Sequence, residues 1–551
     1  MIFEADKGRC AKLKKISFCL PFSVAAVITI FVLIFFAGTV FQAFSPVFHK
    51  TSGSVSRASG SSDFASLWRI LFFTIKQAFF STLLAVAVGI PAAYFLSCRK
   101  FFFKPVLQSL SSVSLCIPPL LVALGFVMTF GMNGVINNGL QRILNLNEPP
   151  FTFLYSFTGI VIVHGFYNFP IIMRTVSDTW KNLPASPYEA ALLSGGSRFR
   201  IFRTVTFFQI LPSIVTGASI VFLYCFFSFI IVLLFGQTGI STVEVEIYRA
   251  AKTTLDFSKA AKLALLETFT ASFIILFYAS ILKRGNKTRN DSGRKIAPKR
   301  INGFFEKTAA SVLFAMIFLF LGLPLLMILF KAPAKLVPLF SSRGFSTSLR
   351  NTMVTAFSTG ILCVITAFLY AALEKAGMFR NLFCVRFITL IPMAVSSVVI
   401  GFGITNLMRK TNFSVSPALL VLCQTSLSWP FAYQQIKNQM DKIPQDVTDA
   451  AKLLSPDFMD SYFRILFPLC KRGLLSGFAF TAAISIGDAT LPLTLSLNRF
   501  ETLSLYTYRL AGAYRFPEAC AAGSVLIISG IILFVLADFL ASDKRIKNGR
   551  N

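Results

Sequence analysis

Four titratable side chains stand in or beside long apolar stretches of the 551-residue chain: Lys76, His164, Glu267 and Asp488. An unpaired charge in hydrocarbon is costly, so each must face the protein interior, water or a headgroup. A packing or hydrogen-bonding role suits His164, and pairing or snorkelling suits Lys76 and Glu267. Asp488 follows Gly487 and precedes Leu491-Pro492, a composition that can break a membrane span, which makes it the candidate for lining a pathway. The rest of the chemical inventory is sparse. Two histidines and dispersed carboxylates form no reactive cluster, so no catalytic residue is assigned. Ten cysteines without close spacing indicate neither a zinc site nor a disulfide framework, and act as small apolar packers. No phosphate-binding G-x-x-x-x-G-K-[ST] loop occurs, so the chain has no ATPase site and no resident cofactor of its own.

A second group of polar residues is repeated. Leu183 to Ala191 reads LPASPYEAA and Ile443 to Ala451 reads IPQDVTDAA, each in a polar loop between apolar segments. In the first copy Ser186 is the expected N-cap, with Pro187 in the first turn and Glu189 reaching back to the cap. Asp446 and Asp449 take the places of Ser186 and Glu189 in the second copy. Ala190-Ala191 and Ala450-Ala451 favour helix and allow a partner to approach closely. Gly195-Gly196 then stops the first helix, and Ser455-Pro456 the second. Helices this short are marginal alone, so a docking groove on another protein is the expected support.

The surrounding elements must hold these loops against a membrane. Hydrophobic residues make up 55% of the chain, including 63 Phe, and the mean hydropathy is +0.70, which excludes a water-soluble domain. Windows of about 20 apolar residues, enough to cross about 30 Å of hydrocarbon, predict an all-α polytopic protein. Twelve spans are expected, near 17–39, 70–96, 109–130, 153–174, 211–236, 263–282, 308–330, 350–373, 383–405, 416–435, 474–495 and 521–540. The tenth is the weakest, being short and holding Gln424. The net charge of +30 collects before the first span, at Arg99, Lys100 and Lys104, at Arg198, Arg200 and Arg203, and from Lys283 to Lys307. These clusters occupy alternate loops, which the positive-inside bias assigns to the cytoplasm together with both termini. The segment Asn286 to Asn302 has no aromatic residues interleaved with its basic ones, so nucleic acid is not an expected partner. The first apolar segment exceeds a signal-peptide core and has no convincing cleavage site, so it is expected to be retained. Ser52 to Ser62 reads as a flexible external loop.

The correspondence between the loops extends along the chain. Tyr167-Asn168-Phe169-Pro170 answers Leu427-Ser428-Trp429-Pro430, Thr242 answers Thr502, and Tyr248-Arg249 answers Tyr508-Arg509, all offset by 260. Thr74 and Ala78 answer Thr352 and Ala356 at 278. Shared order and offset predict two related six-span halves, residues 1–282 and 308–551, joined by a basic cytoplasmic linker at 283–307 that anionic lipid attracts. An even number of spans makes the halves parallel rather than inverted.

Glu189-Ala190-Ala191 with Gly195 and the later apolar Val205 resembles the coupling-loop signature of permease subunits of binding-protein-dependent ATP-driven importers. Phe207-Phe208 departs from the Leu-Pro pair usual there. In the second copy Asp449-Ala450-Ala451, Ser455, Ile465 and Phe467-Pro468 keep the late proline but replace the glutamate and glycine. The resemblance implies the type I importer permease fold in a bacterial inner membrane. It also implies two copies of an ATP-binding subunit carrying ATP and Mg2+, and a periplasmic or lipid-anchored solute-binding protein. Coupling to the ATP-binding subunits would fall on Ser186, Glu189, Ala190, Ala191 and Gly195, and on Asp446, Asp449, Ala450, Ala451 and Ser455. Ser485-Ile486-Gly487-Asp488 and Phe500 to Arg509 resemble the thiamine permeases more than the ferric-iron permeases. Thiamine, or a phosphorylated form, is therefore the expected cargo, with ferric iron the alternative and an ion-coupled secondary transporter the alternative of another class. Aromatic rings would suit an aromatic cation and Asp488 would offset its charge, whereas ferric iron calls for oxygen ligands and no clustered carboxylates occur in the spans.

Overall fold

Long apolar runs in this chain fold as helices because hydrocarbon offers backbone N–H and C=O groups no partner but one another. The computed structural model describes residues 27, 29–47, 60–102, 104–105, 107, 117–236, 239–285, 298–301, 303–375, 389, 391–411, 416–444, 446–447, 450, 462–497 and 499–541. In chain order the principal elements are α1 (Thr29–Val47), α2 (Gly60–Cys98), β1 (Arg99–Lys100), α3 (Pro119–Phe130), α4 (Val135–Leu144), α5 (Phe157–Trp180) and α6 (Ala185–Leu193). A π-helical turn, Phe202–Thr206, leads into α7 (Phe207–Phe226), followed by α8 (Ile230–Phe235), α9 (Val243–Lys252), α10 (Phe257–Gly285) and β2 (Lys299–Arg300). Then come α11 (Phe304–Ile317), α12 (Leu323–Lys331), α13 (Pro333–Phe340), α14 (Arg343–Lys375), α15 (Ser397–Thr411) and α16 (Pro417–Met440). A second π-helical turn, Tyr462–Leu466, precedes α17 (Lys471–Gly487), α18 (Thr490–Leu495), α19 (Leu503–Gly512) and α20 (Phe516–Ala541).

Nine helical stretches among the described residues are long and apolar enough to cross a membrane. Three expected spans fall short of that measure for separate reasons. The ninth window runs partly through residues outside the description, the tenth is α16, polar enough to hold Gln424, and the eleventh is interrupted between Gly487 and Thr490. Several elements recur at the expected offset of 260: α5 with α16, α8 with α18, α9 with α19, and the two π-helical turns.

One compact unit comprises residues 46–342 and 507–525. In it α2 and α5 run parallel, since Gln77 meets His164 and Ser97 meets Ser177. Helix α7 returns antiparallel to α5, bringing Thr179 to Ser213 and Asn168 to Cys225. The C-terminal ends of α2 and α5 thus lie together with α6, and α9 lies at the opposite end, where the Val243 N–H donates to Thr74 Oγ1. Helix α12 packs on α3 so closely that a Cβ on Gly125 would lie 2.5 Å from the Pro324 carbonyl oxygen.

The other compact unit comprises residues 1–45, 343–506 and 526–551. Here α14 and α16 run parallel and α17 returns along them, with Gly473 and Gly477 admitting the α16 backbone at Ile436 and Ala432. Small residues at such crossings let helix backbones approach, which is how spans pack without a hydrophobic driving force. Helix α1 belongs to this unit through α15. Gly403 sits against the Thr39 carbonyl, and Asn406 Nδ2 donates to Gln42 O at 2.7 Å and Ser45 Oγ at 3.0 Å. Each unit therefore holds one helix, α1 or α11–α12, that lies in sequence beside the repeat carried by the other.

Candidate coupling loops and helix-break clamps

The first loop motif forms α6, a nine-residue helix outside the spans. Its start differs from the expected capping box. Pro184 is the N-cap, with φ −64° and ψ 141°, and no side chain caps the helix, so Ser186 and Pro187 lie inside the first turn. The reason is local: the proline ring already fixes Pro184 in the extended conformation that an N-cap requires, and the helix begins at once. The end matches expectation. Gly195 adopts φ +76°, Gly195 N–H donates to Leu192 O and Gly196 N–H to Ala191 O, both at 3.0 Å. That pair of bonds is a Schellman stop, and a left-handed residue there favours glycine.

Ser186, Glu189 and Ala190 are exposed and Ala191 is half-buried. Beside them Leu192, Leu193 and Phe199 are exposed, Leu193 at 90%. Exposed apolar side chains beside an acid suit a contact surface. In the second loop Asp446 and Ala450 are exposed, and Asp449, Ala451 and Ser455 lie outside the described residues. Each loop leads into a π-helical turn, at Phe202–Thr206 and Tyr462–Leu466, a feature that occurs frequently at functional sites. Val205 and Ile465, the late apolar residues of the motif, fall inside these turns.

The approach to the second loop is held electrostatically. Lys375, the last residue of α14, donates from Nζ to Met440 O at 2.6 Å and to Ile443 O at 3.2 Å. A cation on carbonyls at a helix C-terminus adds to their hydrogen bonding and offsets the helix dipole. Its neighbour Glu374 accepts from the Tyr433 hydroxyl and pairs with Lys437 Nζ at 2.7 Å. Replacing Lys375 with Met should lower stability by about 1.5–3 kcal/mol, the range for hydrogen bonds to charged groups. The check is a thermal melt in detergent, in which Lys375→Arg should recover most of the loss.

Deeper in the helices, the spans that follow the loops are broken, and each break is clamped by the same four elements. In the first clamp His164 accepts from Gln77 Nε2 at 2.8 Å through Nδ1, which leaves Nε2–H to donate to Ser228 Oγ at 2.6 Å. The Ser228 carbonyl accepts from Thr242 Oγ1 at 3.2 Å, and Val243 N–H donates to Thr74 Oγ1 at 3.0 Å. In the second clamp Gln424, at the position of His164, donates from Nε2 to Asp488 Oδ2 at 3.2 Å, Asp488 being at the position of Ser228. Ser485 and Thr359 donate to Gln424 Oε1 at 2.6 and 3.3 Å. The Asp488 carbonyl accepts from Ser504 Oγ at 2.7 Å, and Leu503 N–H donates to Thr352 Oγ1 at 2.7 Å.

Asp488 also caps α18, its Oδ1 accepting from the backbone N–H groups of Thr490 at 2.9 Å and Leu491 at 3.2 Å. Three donors within the chain thus face this carboxylate. Removing it in Asp488→Ala should cost about 1–2 kcal/mol from the cap alone, whereas Asp488→Asn keeps an acceptor and should lose less. Denaturation monitored by tryptophan fluorescence would separate the two.

The two remaining candidates have structural surroundings. Lys76 stands over the Phe157 ring at 5.2 Å, a cation–π contact, and Glu267 is fully buried. At the end opposite α6, the half-buried phenols of Tyr248 and Tyr508 both have raised pKa values. Burial is the chief cause, and Tyr508 also feels the neighbouring Tyr248. Among the described residues no group of three His, Cys, Asp or Glu could hold a metal ion.

The sequence pattern of the family described as "Binding-protein-dependent transport system inner membrane component" matches residues 85–284 and again 382–547. The chain belongs to this family. It carries the family's permease domain twice, and the two matches enclose both loop motifs and both helix breaks. The chain is therefore a multi-pass inner-membrane component of a transport system. It is 27% identical to the thiamine transport system permease protein of Brucella abortus (strain 2308) over 491 residues, 87% of this chain and 89% of that one. With the thiamine transport system permease protein of Escherichia coli (strain K12) it shares 25% identity over 484 residues, 86% and 89% of the two chains. A shorter likeness, 27% over 196 residues, links 36% of the chain to 68% of a putative 2-aminoethylphosphonate transport system permease protein of Salmonella paratyphi A.

Proposed function

We propose that the chain is the permease of an ATP-driven importer that moves thiamine, or a phosphorylated form, inward by alternating access. The observation that carries the cargo reading is the length of the likeness: thiamine permeases align over most of both chains, across both copies of the domain. Twelve spans in two parallel halves, 1–282 and 308–551 with a linker at 283–307, and cytoplasmic termini belong to the same reading. So do two copies of an ATP-binding subunit, loaded with ATP and Mg2+, and a solute-binding protein on the other side.

ATP-driven closure of the two subunits draws the loops around Glu189 and Asp449 together, and the rigid helices beyond them open the pathway outward. Nucleotide hydrolysis then restores the inward-facing state. The Lys375 contacts support this by tying the approach to the second loop to α14. Tyr248 and Tyr508 offer ring faces to an aromatic cation.

Proteoliposomes containing the chain, its ATP-binding subunit and its binding protein should accumulate labelled thiamine on addition of ATP. Accumulation of ferric iron instead would replace the cargo. Thiamine uptake without the ATP-binding subunit would overturn the ATP-driven reading in favour of ion coupling.

A further inference from the structure

Like charges face one another across the short parallel ribbon formed by β1 and β2. Arg99 pairs in register with Lys299, and Lys100 with Arg300. Such pairs on neighbouring strands repel and destabilise a ribbon unless something neutralises them. Within the chain only part of that is supplied: Glu306 takes Arg99, and Tyr94 also donates to Glu306 at 3.1 Å. Lys100 and Arg300 are exposed, and no acid among the described residues pairs with them. A further cation crowds the same place. Lys104 donates to Arg99 O at 3.2 Å, and its pKa is lowered, first by burial, then by the nearby ammonium groups of Lys181 and Lys100.

The apolar surroundings say what kind of anion belongs there. Phe102, Phe304 and Phe305 flank the ribbon in sequence and are 89%, 87% and 87% exposed, Phe102 lying just beyond α2 and Phe304 and Phe305 opening the membrane-length stretch Phe304–Lys331. Bare aromatic rings at that level suit the boundary between headgroups and acyl chains, and cations beside them suit a lipid phosphate.

We infer that the β1–β2 ribbon binds an anionic phospholipid of the leaflet on the α6 side. Lys100, Arg300 and Lys104 hold the headgroup, and Phe102, Phe304 and Phe305 rest against its chains. The bound phosphate neutralises the like-charge pairs, so the lipid ties the connection between β2 and α11 to the end of α2. This inference rests on the membrane location alone and is independent of the cargo.

The test is a lipid titration of the purified full-length chain followed by native mass spectrometry, with phosphatidylglycerol and phosphatidylcholine as probes. Wild type should retain phosphatidylglycerol in preference, and the affinity should fall as salt is raised. In the double variant Lys100→Gln, Arg300→Gln that affinity should drop by about 25-fold, at about fivefold per surface cation, with phosphatidylcholine binding unchanged. Lys100→Arg, Arg300→Lys should retain it. Equal binding of the two lipids by wild type, or an affinity indifferent to salt, would overturn the inference even if the glutamine variant failed to fold. Competition by inorganic phosphate at the same concentration would also overturn it, by assigning the cations to a free anion.

Discussion

Reversing charge at both loops, with Glu189→Arg and Asp449→Arg in one chain, is expected to cut affinity for the ATP-binding subunit by about 100-fold and to abolish uptake. Like charges brought together in an interface cost several kcal/mol, and 2.8 kcal/mol is about 100-fold. Glu189 is exposed on a nine-residue helix with exposed leucines beside it, so the substitution removes no packing from the fold. Membrane insertion should stay near normal. The measurement is co-purification of the two subunits together with ATP-dependent transport. Unchanged association and unchanged uptake would remove the loops from the coupling mechanism.

Gly403→Ala is the second large effect, and it falls on the fold. Any Cβ at this position overlaps the Thr39 carbonyl, a backbone atom that cannot turn aside, so α1 must move away from α15. The move also strains the bonds from Asn406 to Gln42 and Ser45. Overpacking of this kind costs about 1–3 kcal/mol and occasionally more. Gly139→Ala in α4 is the control, because nothing lies within 4 Å of its Cβ position and alanine is the better helix former. Yield and melting temperature in detergent should fall for the first and hold or rise for the second.

The helical, membrane-spanning character was legible because apolar run length is a direct consequence of bilayer thickness. The repeat was legible too, and the coordinates show that Thr74 and Thr352, noted as matching residues, do the same work on the backbones of Val243 and Leu503. The clamps themselves were not legible as units. Gln77 and Ser228 carry no signal in sequence, since a buried hydrogen bond depends on which helices meet. Gln424 counted as a weakness of its span, yet that polarity is what anchors the break at Asp488. The helix starts ahead of Ser186 for a different reason: two prolines compete to begin one helix, and the earlier one wins. Asp488 was singled out for its setting, and the backbone N–H groups it caps became visible only once α18 was in place.

Helix α1 packs with the repeat to which it is not adjacent in sequence, and α11–α12, beyond the basic linker, pack with the repeat that precedes it. A cut at the linker would therefore leave each fragment without a helix that its unit contains. A gene cut within the basic linker should yield two fragments that are degraded when made singly and rescue each other when made in the same cell. Fusing the two into one polypeptide guarantees that the reciprocal helix is always at hand during synthesis, and prevents two copies of the same fragment from assembling with each other.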